Sequence, residues 1–169
     1  MRPDAHIERV LHEHGQALRR LARAYAWDDA GVDDLMQEIA IALWDALPAF
    51  RGECSERTYV FRVARHRALT HRHRHRRTTE PLAAAERVED PAPLADEAAE
   101  RHAQHEVLMR HVQQLPEGLR SVVVLRLEGM HDAEIAEVLG LSAGNVAVRL
   151  TRARAALRSA MTPATGASR

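Results

Sequence analysis

The sequence has a single cysteine, Cys54, so neither an internal disulfide nor a multi-cysteine zinc site is possible within it. It has no lysine: every basic residue other than histidine is arginine. No apolar run approaches the roughly 20 residues that a membrane-spanning helix needs. The opening MRPDAHIERV lacks the apolar core of a signal peptide. A soluble, cytoplasmic protein is the expectation. There is no phosphate-cradling glycine loop and no nucleophile elbow, so no enzymatic activity and no cofactor are expected. Cys54 has basic neighbours but reads as an ordinary loop cysteine rather than a reactive one.

The formal net charge is zero, yet the charge is laid out in blocks. Residues 26–50 carry six acids and no arginine, and residues 51–77 carry nine arginines against Glu53 and Glu56. Residues 80–100 carry seven acids against Arg87, and residues 142–169 carry five arginines and no acid. Opposed blocks in one small chain point to two kinds of partner, one basic and one polyanionic.

Helical periodicity dominates, and no segment reads as a strand. Ile7, Val10, Leu11, Leu18, Leu21 and Tyr25 recur at three- and four-residue steps. A turn is expected over Asp28–Gly31, then a second helix over 32–47 with Val32, Leu35, Ile39, Leu43 and Leu47 inward and Pro48 as its stop. A third helix is expected over 55–77 with Val60, Val63 and Ala64 buried. Its His/Arg end lacks apolar pattern beyond Leu69, so that end is expected to project along the surface. Residues 78–95 hold three prolines with an acidic bias, which is linker composition. Helices over 96–114 and 119–128 follow, the second stopped by Gly129. The fold class is therefore all-α. Two small helical domains, 1–77 and 96–162, are joined by a flexible acidic linker at 78–95, and a short tail occupies 163–169.

Residues 132–158, DAEIAEVLGLSAGNVAVRLTRARAALR, contain a helix-turn-helix pattern. Asp132 is a candidate cap for a helix carrying Ile135, Ala136 and Leu139. Gly140 sits where a left-handed residue would end it, Leu141 plugs the turn, and Ser142 caps the next helix. That helix buries Val146, Leu150, Ala153 and Leu157. Its other face carries Asn145, Arg149 and Arg152, flanked by Val148 and Thr151. Asparagine pairs with adenine, arginine with guanine or phosphate, and valine or a threonine methyl with the thymine methyl. Ser142 and the free N–H groups at the helix start suit a phosphate.

At this point the sequence resembles a known family, the bacterial RNA polymerase sigma factors of the extracytoplasmic-function (ECF) type. LPEGLRSVVVLRLEGMHDAEIAEVLGLSAGNVAVRLTRARAALR is similar to their C-terminal domain, DDLMQEIAIALW to their polymerase-binding helix, and RTYVFRVARHRALTHRHRHRR to their promoter-melting helix. The resemblance runs from about Ile7 to Met161. It implies an initiation factor whose first domain binds core RNA polymerase and opens the −10 element, while the second reads the −35 element. Polymerase contact is then expected from Asp34, Leu35, Gln37, Glu38 and Trp44. Contact near the −10 element is expected from Arg62, Arg65, His66, Arg67, Thr70, His71, Arg72, Arg74, Arg76 and Arg77. Contact with the −35 element is expected from Ser142, Asn145, Val148, Arg149, Thr151 and Arg152.

The resemblance further implies promoter DNA and an anti-sigma factor as partners, and an acidic linker (Glu86, Glu89 and Asp90 among its acids) lying in a basic channel of polymerase. Several positions depart from the family pattern. Tyr59 replaces a usual tryptophan, His66 an asparagine, Thr70 an aspartate and His131 a serine. Ala147 and Val148 occupy positions that are often polar or basic. These departures put the promoter sequence and the individual contacts in question. No self-inhibitory domain is expected beyond the short tail.

His71 and His75 are four apart, a legitimate metal-ligand spacing on a helix. Arg72, Arg74, Arg76 and Arg77 surround them and repel a dication, so phosphate contact is the favoured reading and no metal site is expected. The competing reading of the whole chain is a stand-alone helix-turn-helix regulator, with the N-terminal half serving dimerisation or sensing.

Overall fold

A computed structural model of the chain describes residues 3–78 and 97–162, with side chains for 5–75 and 103–162. Among the described residues every regular element is helical. Helix α1, Pro3–Arg23, turns Ile7, Val10, Leu18 and Leu21 inward, and Tyr25 follows them into the core. Asp28 has extended backbone (φ −140°, ψ 171°), and its side chain accepts from the Gly31 N–H at 2.7 Å. Residues 28–31 are thus the cap and first turn of α2, Asp29–Ala46, rather than a separate turn. Aspartate is a strong N-cap, and a Cβ at position 31 would lie 3.0 Å from Asp28 Oδ1, so glycine is what lets the cap close.

Val32, Leu35, Ile39 and Leu43 form the buried stripe of α2. Pro48 ends it within a 3-10 turn, Leu47–Ala49. Ser55 Oγ accepts from the Thr58 N–H at 3.0 Å and starts α3, Glu56–Thr78. Val60, Phe61, Ala64 and Ala68 are its buried apolar residues, with Val63 half-buried. The His/Arg end lies along the surface as expected at His73, Arg74 and His75, which are exposed, but its start does not. His71 is 3% exposed, and Arg72 lies over the Trp27 ring at 5.0 Å. Small Ala68 and the flat imidazole let the helix end press onto α2, which an apolar count could not anticipate.

An ion-pair knot joins α1 to the start of α3. Glu56 accepts from Arg9 at 2.7 Å and lies 2.7 Å from His6. Chiefly through the Arg9 hydrogen bond, against a smaller opposing effect of burial, its carboxyl is held at about 2 instead of 4.5. A lowered folded-state pKa stabilises fully above the unfolded value and loses its effect as pH falls through the folded one. Glu56→Gln is therefore expected to cost about 1 kcal/mol near neutrality, a partly exposed pair being worth no more. The gap should close between pH 4.5 and 2 in paired thermal melts. A gap that persists at pH 2 would refute the ion-pair account.

The second half comprises α4 (Glu97–Gln114), α5 (Glu117–Leu127), α6 (Asp132–Leu139) and α7 (Ala143–Met161). Pro116 leads into α5. Gly129 (φ 78°) and Gly140 (φ 65°) take the left-handed conformation at the ends of α5 and α6, as expected. Asp132 is not the cap of α6. His131 is, its N–H donating to Glu134 Oε2 at 2.8 Å, while Asp132 forms an ion pair with Arg126. Arg120, which no apolar pattern marks as core, is 3% exposed, donates to the carbonyls of Val112 and Leu115, and lies over the Tyr25 ring at 5.4 Å.

The two halves lie against each other, α3 against α6. Tyr25 Oη is 3.0 Å from Ser121 Oγ in a buried contact, and Arg20 forms a two-pronged pair with Glu128 at 3.0 and 2.7 Å. Most of the expected 78–95 linker, with Glu86, Glu89 and Asp90, lies outside the described residues, as does the 163–169 tail.

Candidate nucleic-acid interface

Ser142 (φ −82°, ψ 152°) caps α7, its Oγ accepting from the Asn145 N–H at 3.2 Å. Val146, Leu150 and Ala153 are buried against the rest of the second half. That fixes the rotation of α7 and turns Ser142, Asn145, Val148, Thr151 and Arg152 to solvent. Arg149 is half-buried. It donates from Nε to Asn145 Oδ1 at 3.1 Å, and its guanidinium rests where a Cβ on Gly118 would come within 3.1 Å. The Thr151 hydroxyl donates to the Ala147 carbonyl at 3.0 Å. An open groove beside this face is lined by Arg126, His131, Thr151 and Arg154 among others. His131 and Arg154 lie off the Asn145/Arg149/Arg152 stripe, so helical periodicity does not mark either as part of this surface.

A second surface lies on α2. Asp34, Gln37, Trp44 and Asp45 are exposed, opposite the buried stripe. Ile41 joins them at 61% exposure and Trp44 stands at 47%. Two large apolar side chains side by side in water, ringed by acids, form a patch suited to a protein partner. Ile41 was missed, although it falls off the Val32/Leu35/Ile39/Leu43 stripe and that offset was the available signal. Leu35, expected on this surface, is fully buried and holds α2 to the core instead. Glu38 is half-buried and engaged by α3: it lies 3.2 Å from His71 Nδ1, accepts from Arg74 at 2.8 Å, and has Arg67 at 3.9 Å.

The basic helix α3 divides its residues between two faces. His66, Thr70 and Arg74 line an open groove together with Leu69 and His73. Arg62, Arg65 and Arg72 turn toward the second half, donating to the Glu137 carbonyl at 3.0 Å, to Ser121 Oγ at 3.2 Å and to the Gln113 carbonyl at 3.1 Å. His71, expected at DNA, is buried beneath Glu38, and Arg67 is half-buried beside the same carboxylate. The side chains of Arg76 and Arg77 lie outside the described residues.

Among the described residues the three-ligand groupings close enough for a metal do not include the His71/His75 pair. Glu13, His14 and Glu56 bring ligand atoms within 4.8 Å of one another. Arg9 already donates to both carboxylates, at 3.1 and 2.7 Å, and its charge stands where a cation would.

Comparisons with known proteins agree with this geometry. Residues 10–78 match Sigma-70 region 2 and residues 105–157 match Sigma-70, region 4. The chain is 32% identical over 160 residues to RNA polymerase sigma factor CnrH of Cupriavidus metallidurans, covering 88% of this chain and 82% of that protein. It is 31% identical over 154 residues to RNA polymerase sigma factor NccH of Alcaligenes xylosoxydans xylosoxydans, with the same coverage. Among solved structures, CnrH in complex with the cytosolic domain of CnrY superposes with a TM-score of 0.66 at 27% identity, covering 92% of this chain and 86% of that one. The sigma factor RpoE bound to the anti-sigma factor NepR, from Bartonella quintana, shares the fold at a TM-score of 0.66 and 18% identity.

Proposed function

The chain belongs to the sigma-70 family, in its ECF branch, and from that premise we propose how its residues share the work of transcription initiation. It is an initiation factor that binds core RNA polymerase and directs it to promoters. The N-terminal half, which a stand-alone regulator would use for dimerisation or sensing, matches Sigma-70 region 2 instead.

The α2 surface carries polymerase binding: Ile41 and Trp44 supply the desolvated centre, and Asp34 and Gln37 a polar rim for a basic partner. On α3, His66, Thr70 and Arg74 face the −10 region, and Arg62, Arg65 and Arg72 bind strand phosphates once they are freed from the second half. On α7, Ser142 holds a phosphate at the helix start, while Asn145, Val148, Arg149, Thr151 and Arg152 read the −35 element. The supporting observation is the exposed Asn145/Val148/Arg152 face on a helix held by a buried one. By likeness to sigma factors solved with anti-sigma partners, a protein inhibitor covers these surfaces in the resting cell. The site of action is the cytoplasm. Among the described residues no helix is long and apolar enough to cross a membrane.

The test is run-off transcription by core polymerase with and without this protein, on a pool of host promoter fragments. New specific transcripts are expected, and their shared upstream sequences give the motif. Asn145→Ala and Arg152→Ala should each lower activity about 10-fold and relax selection at one −35 position, a base contact being worth about 1–3 kcal/mol. No transcripts, with the protein binding duplex DNA as a dimer, would overturn the assignment in favour of a stand-alone regulator.

A further inference from the structure

Glu38 follows Gln37 directly in the chain but sits about 100° further round α2, and the two side chains go to different places. Gln37 is exposed with Asp34 on the outward face. Glu38 turns toward α3, and its side chain is only 26% exposed. Its Oε1 lies 3.2 Å from Nδ1 of the buried His71. Its Oε2 accepts from Arg74 at 2.8 Å and has Arg67 at 3.9 Å. Positions 67, 71 and 74 follow one another at steps of four and three, so one carboxylate serves a whole stripe of α3.

Arg74 also has a second side. Its side chain is 56% exposed and lines the open groove with His66, Leu69, Thr70 and His73. It is therefore the residue where the Glu38 stripe meets the groove assigned to the −10 region. An unrestrained arginine samples many rotamers, and ordering it on a phosphate costs entropy. A carboxylate that already holds the guanidinium removes part of that cost. The guanidinium fork has five donors, enough to bond a carboxylate on one edge and a phosphate on another.

We propose that Glu38 is a positioning residue for promoter opening rather than a polymerase contact: it fixes the end of α3 through His71 and presents Arg74 to the DNA backbone at the groove. This rests on the assignment of α2 to polymerase and of α3 to the −10 region made above. A polymerase contact would need the carboxylate in solvent, and three side chains of α3 already surround it. A carboxylate acting by charge alone would repel phosphate, so its removal would strengthen DNA contact; positioning requires the reverse.

Holoenzyme reconstituted with the full chain tests this on a promoter fragment recovered by the run-off assay. Core affinity and the permanganate reactivity of unpaired −10 thymines are read in parallel. Glu38→Ala should keep core affinity and lower promoter opening about 10-fold, the scale on which a misplaced group costs activity. Glu38→Gln keeps an acceptor for Arg74 and should recover most of that loss. Arg74→Ala should lower opening to a similar degree, and adding Glu38→Ala to it should cost little more, because residues that act through one another are not additive. Lost core affinity in Glu38→Ala, additive losses in the double variant, or opening at or above the wild-type level in Glu38→Ala overturns the positioning role. Should Glu38→Ala melt below the assay temperature, Glu38→Asp carries the test. It keeps the charge but withdraws it from Arg74 by one methylene, and wild-type opening in it overturns the proposal. Wild-type opening in Arg74→Ala would reject the assignment of this groove to DNA, and the positioning role with it. Impaired Arg74→Ala beside unimpaired Glu38→Ala would reject the positioning role alone.

Discussion

Ile41→Ala/Trp44→Ala is expected to weaken binding to core RNA polymerase by about 100-fold while leaving the melting temperature unchanged. Both side chains are large, apolar and largely in solvent, at 61% and 47% exposure. Their truncation therefore opens no cavity, and surface changes of that kind usually shift stability by less than about 0.5 kcal/mol. At an interface the same atoms are desolvated. An aromatic anchor at the centre of a protein contact commonly accounts for about 2 kcal/mol or more, and flanking residues contribute less than additively. Asp34→Asn and Asp45→Asn should act differently, slowing association and flattening its salt dependence with little effect on dissociation, because rim charges steer more than they hold. Surface-immobilised core polymerase and a salt series distinguish the two classes. Wild-type affinity in the double variant would take the exposed face of α2 out of the polymerase contact.

Arg120→Ala is expected to cost about 3 kcal/mol, or about 9 °C in melting temperature for a chain of this size. The guanidinium is nearly inaccessible, bonds the carbonyls of Val112 and Leu115, and covers the Tyr25 ring. Truncation leaves those carbonyls buried without their donor and empties the space over the ring. Arg120→Met refills much of that space but restores no hydrogen bond, so it should recover about half of the loss. If Met and Ala variants melt alike, packing contributes little and the carbonyl bonds dominate. If Arg120→Ala melts like the wild type, the buried guanidinium is structurally idle. Because Tyr25 belongs to the first half and Arg120 to the second, the same change should also loosen the contact between the halves.

The sequence by itself determined the helices, their inward stripes and the helix-turn-helix. The 3.6-residue period, Pro48, Gly129, Gly140 and the Ser142 cap are local signals, and each acts within one or two turns. The exposed face of α7 followed from the same periodicity, because burying Val146, Leu150 and Ala153 leaves only one direction for Asn145 and Arg152.

Tertiary structure decided what local signals do not encode. Leu35 and Glu38 both lie in the segment that resembles a polymerase-binding helix, yet one is core and the other is drawn in by His71 and Arg74 from a different helix. Ile41 reads as one more apolar residue until the packing leaves it in water. Arg62, Arg65 and Arg72 read as a free basic surface, and only the approach of the second half supplies their acceptors, at sequence separations of 75, 56 and 41. Burial and pairing of charged side chains depend on which distant carbonyls and carboxylates arrive beside them, and no pattern within one helix records that.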